Sequence, residues 1–127
     1  MLFGVNPPDR DNPFWFTVGG GADPGETLAE AAARELFEEV GIAADPAALG
    51  QPVWSRTTKF SFDGTRYQQE EEYFLLRVSS TEVSFDGMDA DERDTVIEHR
   101  WLTAADLESL TVPFFPPGLP VLLRGLL

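Results

Sequence analysis

A chain of 127 residues is the size of one ordinary domain, and 43% hydrophobic residues, with 10 Phe and 3 Trp, give it material for a core of its own. The absence of cysteine excludes a disulfide framework and a thiolate zinc site. A formal net charge of -13, from 22 acidic against 9 basic residues, repels DNA and RNA, whose binding relies on Lys and Arg neutralising phosphates; a long nucleic acid is not an expected partner.

In chain order, LFGV at 2–5 reads as the end of a strand and NPPDRDNP at 6–13 as a loop dense in turn formers. FWFTV at 14–18 is a second strand. It runs into Gly19, Gly20 and Gly21 and the turn Asp23-Pro24-Gly25. From Thr27 the pattern is helical: Thr27 with Glu30 three residues on forms a capping box, and Gly41 supplies a stop after Val40, so a helix is predicted over 28–40. PVWSRTTKFSF and RYQQEEEYFLLRV flank Asp63-Gly64 as the two strands of a hairpin. VIEHRWL at 96–102 is a further strand, TAADLESL a short helix, and LPVLLRGLL a terminal helix after a Pro-rich loop. The 112–120 loop and the apolar tail either cover the sheet or form a dimer contact, leaving monomer and homodimer both open. Strands mixed with helices in this order predict one α/β or α+β layered domain spanning 1–127. No apolar run reaches the length of a membrane span and the first residues do not read as a secretory signal, so a cytoplasmic protein with no membrane partner is expected.

The chemistry concentrates on the predicted helix. At about 100° per residue Glu35, Glu38 and Glu39 fall within one sector of it, while Ala29, Ala32, Ala33, Leu36, Phe37 and Val40 cover the neighbouring, core-facing side. Glutamates four apart disfavour a bare helix by roughly 0.2–0.5 kcal/mol. Arg34, four residues from Glu30 and from Glu38, relieves part of that repulsion, but one guanidinium does not neutralise the whole cluster. A hard divalent cation can, and magnesium also binds phosphate oxygens. Taken by itself, a glutamate-rich helix side is most often a solvated surface.

The flanking residues change that balance. Gly20 to Ile42, GGADPGETLAEAAARELFEEVGI, resembles the Nudix box, G-x5-E-x7-R-E-U-x-E-E-x-G-U with U apolar, and meets every fixed position with Gly20, Glu26, Arg34, Glu35, Leu36, Glu38, Glu39, Gly41 and Ile42. WFTVGGG, EYFLLRV as a central strand, and HRWLTAADL extend the resemblance over most of the chain, with Val18 where many relatives have proline and a start about one strand later than is usual.

The resemblance implies an αβα sandwich with a mixed, curved sheet between helices. It also implies a hydrolase that uses magnesium, with manganese a possible substitute, to cleave a phosphoanhydride in a small nucleotide-type substrate, a nucleoside diphosphate linked to another moiety, by water attack at phosphorus. By matching positions, Glu38 and Glu39 are implied as metal ligands, with Glu35 a third ligand or a base. Gly19 is implied to lend a backbone carbonyl, and Glu26 and Arg34 to orient the glutamates. For Arg34 a helix-stabilising ion pair stands equally beside that role. A further acid from a later loop is implied, with Glu92 and Glu98 the candidates beside Asp91. Substrate contacts are sought among Trp15, Arg56 and Glu71, although strand aromatics are more often core and isolated cations more often solvated. His99 reads as a strand residue. The competing function is a Nudix-fold module that senses a nucleotide without cleaving it; relatives of that kind commonly have a degraded box, and this one is complete.

Overall fold

The computed structural model describes residues 2–5, 14–90, 93 and 96–126. Its elements are β1 (Leu2–Val5), β2 (Phe14–Thr17), α1 (Leu28–Val40), a 3-10 turn (Pro46–Leu49), β3 (Trp54–Phe62), β4 (Thr65–Tyr73), β5 (Val96–Arg100), α2 (Ala104–Glu108), β6 (Phe114–Phe115) and α3 (Leu119–Leu126). A four-stranded sheet runs in the order β5-β1-β2-β6, antiparallel except for the parallel pair β2 and β6, and β3 and β4 form a separate two-stranded sheet. This is the mixed α+β arrangement expected from the sequence.

Period-2 alternation along β2 explains the layering. Trp15 points into one core with Leu107 of α2 and Leu119 of α3, and its neighbour Phe16 points into a second with Val40 of α1 and Met88. The sheet therefore has α1 on one face and α2 with α3 on the other. The apolar tail covers the sheet, with Leu122 and Leu123 packed into the Trp15 core. Full burial of a side chain such as Leu107 or Val40 stabilises by about 1.5–3 kcal/mol.

Helix α1 has the predicted bounds, and both of its ends are locally specified. Glu30 N–H donates to Thr27 Oγ1 at 3.1 Å and Thr27 N–H to Glu30 Oε1 at 3.4 Å, the reciprocal capping box. At the other end Gly41 takes φ 73°, where a Cβ is disfavoured, and its N–H donates to the Phe37 carbonyl. The hairpin turn likewise places Asp63 and Gly64 at φ 49° and 76°, as an Asp-Gly two-residue loop requires.

Three expectations are corrected. EYFLLRV is not a central strand: β4 ends at Tyr73 and, among the described residues, pairs only with β3, and 74–78 carries no strand. Its continuous apolar run lacks the alternation that fixes a strand, and residues 74–76 reach partial burial without pairing. Phe37 does not join the core; it is 58% exposed. Conversely Glu39, assigned to the anionic border, is 5% exposed. No helix among the described residues is long and apolar enough to cross a membrane.

Candidate active site

Strand β2, the glycine loop and α1 bring the acidic residues together through Arg34. Its Nε and Nη2 donate side-on to the two oxygens of Glu26, each at 2.9 Å, in a bidentate pair. Its Nη1 donates to Glu35 Oε1 at 2.9 Å and to Glu38 Oε2 at 3.2 Å, and Nη2 also donates to the Gly21 carbonyl at 3.0 Å. All five guanidinium donors are thereby used, three carboxylates and a loop carbonyl sharing one cation. Asp23 adds a looser ion pair at 3.5 Å, and its N–H donates to Glu26. The Arg34 hydrogen bond, then the Asp23 N–H, draw Glu26 down from 4.5 to about 2, while Glu26 followed by Glu35 raises Arg34 further above its already high value.

Glu39 points elsewhere. It is buried, and its Oε2 accepts the Gly19 N–H at 3.0 Å, tying the exit of β2 to the last turn of α1. Gly20 fits for a related reason: a Cβ there would lie 2.6 Å from Glu35 Oε1, so only glycine leaves that carboxylate its position. Glu35 and Glu38 are thus gathered on one nitrogen, whereas Glu39 is held by the loop. Among the described residues no three acidic or histidine side chains converge into a ready cation cage. The donor set fits a hard divalent cation in kind, because it offers carboxylate oxygens on one stretch of helix, and a cation there takes over the two oxygens that Arg34 Nη1 holds. A hollow of about 380 Å³ beside α1 is bordered by Glu26, Arg34 and Phe37 but by none of Glu35, Glu38 or Glu39, so it adjoins the cluster from its outer side.

The other predicted residues fall in different places. Trp15 is 6% exposed, with the Arg100 guanidinium 5.1 Å from its ring centroid, so it belongs to the core and offers no face to a base. Alternation left that choice open; the β6 and α3 packing decides it. Arg56 and Glu71 sit opposite each other across the hairpin and pair at 2.6 Å, with Tyr73 Oη donating to the same Glu71 oxygen at 2.6 Å. Burial pushes Glu71 up, but the bonds from Arg56 and Tyr73 outweigh it and hold its carboxyl below the ordinary value; burial and then Glu71 push Tyr73 up to about 12. Glu98 lies on β5 at the sheet edge and pairs with Arg100 at 2.8 Å rather than with α1. Glu92 and Asp91 lie outside the described residues. His99 packs edge-on against Phe85, ring centroids 4.9 Å apart. Sequence reasoning missed the Gly21 carbonyl and Asp23 as partners of the site, although the Asp-Pro-Gly turn signalled that the loop folds back.

The model of the NUDIX domain matches residues 5–122. The chain belongs to the Nudix family. Among similar Nudix relatives are RNA pyrophosphohydrolases of Erythrobacter litoralis (strain HTCC2594), 37% identical over 79% of this chain and 65% of that one, and of Novosphingobium aromaticivorans, 31% identical over 84% and 70%. A Bacillus subtilis (strain 168) protein provisionally named 8-oxo-dGTP diphosphatase is 35% identical over 61% of this chain and 46% of its own length. The chain thus spans about two thirds of the length of the first of these relatives. The solution structure of the E. coli ORF135 protein shares the fold, with a TM-score of 0.51 and 23% identity over 95% of this chain and 75% of that chain. The pyrophosphohydrolase names agree with the reaction class that the box implied, and the Nudix motif folds here as the strand, loop and capped helix read from it.

Proposed function

We propose that this Nudix chain hydrolyses a phosphoanhydride bond of a free nucleoside 5′-polyphosphate in the cytoplasm, with magnesium, or manganese in its place, held by Glu35, Glu38 and Glu39. The observation that carries the reading is the Arg34 node, which gathers Glu35 and Glu38 on one nitrogen directly after the glycine loop. When bound, the cation would neutralise phosphate oxygens and lower the pKa of an attacking water. The protein's own part is positioning. Glu26 clamps the guanidinium through two bonds, so Arg34 stays in place when Glu35 and Glu38 turn to the cation. Glu39 enters the site with one oxygen already fixed by Gly19 N–H, and Glu35 serves as third ligand or as base.

A second reading, removal of pyrophosphate from the 5′ end of an RNA, is favoured by the names of the relatives. The net charge of -13 favours the free nucleotide. A panel of nucleoside triphosphates, oxidised nucleotides and a 5′-triphosphate oligoribonucleotide, incubated with magnesium, separates them. Turnover of the free nucleotides that collapses in Glu38→Gln supports the proposal, preference for the oligonucleotide supports the second reading, and binding without turnover across the panel indicates a sensing module.

A further inference from the structure

We infer that Gly87 and Arg93, both outside the Nudix motif, are positioning residues for the metal-binding end of α1. The inference rests on the reading of α1 as the metal-binding helix. The segment 83–88 lies against the last turn of that helix. Ser84 N–H donates to the Val40 carbonyl at 2.8 Å, satisfying an acceptor that the end of the helix leaves open. A Cβ built on Gly87 would come within 2.7 Å of the Glu38 carbonyl oxygen and 3.1 Å of its Cα. The loop backbone therefore rests on the backbone of a residue that carries one of the carboxylates. Backbone cannot swing aside as the tip of a side chain does, so any larger residue at 87 must lift the loop or shift the helix.

Arg93 holds the loop in that shape. Its Nε donates to the Met88 carbonyl at 3.2 Å, and its Nη2 to the carbonyls of Phe85 at 3.3 Å and Asp86 at 3.0 Å. Met88 N–H closes the same turn onto Phe85 at 3.1 Å, and the Met88 side chain is buried against Val40. A planar fork with fixed donors suits three carbonyls turned to one side, and an ammonium replaces it only in part. The last turn of α1 is consequently held from two directions: Gly19 grips the Glu39 carboxylate, and the loop around Gly87 supports the backbone at Glu38. With the loop lifted, Glu38 and Glu39 keep their chemistry and lose their fixed separation. Supporting contacts of this kind around metal ligands typically contribute 10–100-fold in affinity.

Manganese uptake, followed by the electron paramagnetic resonance of the free ion, tests this on the full chain. Gly87→Ala, Arg93→Gln and Arg93→Lys are compared with the parent, with Glu38→Gln, and with Leu107→Ala, which loosens the core on the other face of the sheet. We expect Gly87→Ala and Arg93→Gln to weaken manganese binding about tenfold or more, and Arg93→Lys to recover part of it. Leu107→Ala should lower Tm at least as far while keeping the parent's manganese affinity. Should Gly87→Ala fail to fold, the Arg93 pair decides. Parent-like affinity in the loop variants, or equal weakening in Leu107→Ala, overturns the inference alone. A parent that takes up no manganese, like Glu38→Gln, overturns the metal reading as well.

Discussion

Arg34 and Glu26 form the most fully satisfied pair of the site, and their electrostatics make a pH prediction. Glu26 titrates at about 2 in the fold against an ordinary value of 4.5. A carboxyl whose pKa is depressed by folding contributes stability that is complete above the unfolded value and is lost as pH falls through the folded one. Between pH 4.5 and about 2 the parent should therefore lose stability more steeply than Glu26→Gln, with the two curves running parallel above that window. Thermal melts across the range check this, and identical acid limbs would show that the pair does not form. At this scale the sequence was informative about which residues matter and silent about orientation. The matched spacing named Glu26, Arg34, Glu35, Glu38 and Glu39, but a helical projection does not see the Gly19 N–H that draws Glu39 inward, nor the core that closes over Trp15.

Elements were legible where their ends are set by local chemistry. Helix α1 starts and stops where Thr27, Glu30 and Gly41 say it must, because capping bonds form between residues three or four apart. Thr27→Ala should accordingly cost about 1 kcal/mol, read as a lowered denaturant midpoint at an unchanged slope. An unchanged midpoint would mean that tertiary packing alone holds the first turn. The hairpin was placed by Asp63-Gly64 for the same reason. Beyond Tyr73 the signal fails: FLLRV is apolar without alternation, and whether such a run joins a sheet depends on distant partners that one sequence does not reveal. The loop at 84–88 went unread because its role lies in a close approach to Glu38, and glycine in a loop is too common a signal to announce one.

For the whole molecule, charge is the property that reaches furthest. A net charge of -13, with Arg34, Arg56, Arg100 and Arg124 engaged by carboxylates, opposes the binding of a long phosphate backbone. On the proposed free-nucleotide reading, the enzyme should show a weak dependence of kcat/KM on salt and no gain from a longer chain on the 5′-nucleotide, in contrast to the steep slopes of proteins that neutralise many phosphates. A steep loss of rate with salt on the oligonucleotide would transfer the assignment to RNA ends. All of this depends on Glu35 and Glu38 turning from Arg34, and Glu39 joining them from its bond to Gly19, to take up a cation. Calorimetric titration with magnesium, in the presence of a non-hydrolysable nucleoside triphosphate, addresses that directly. Saturable uptake by the parent, lost in both Glu38→Gln and Glu39→Gln, is the expected result; no uptake by the parent, or undiminished uptake by the two variants, would refute the assignment of these glutamates as metal ligands.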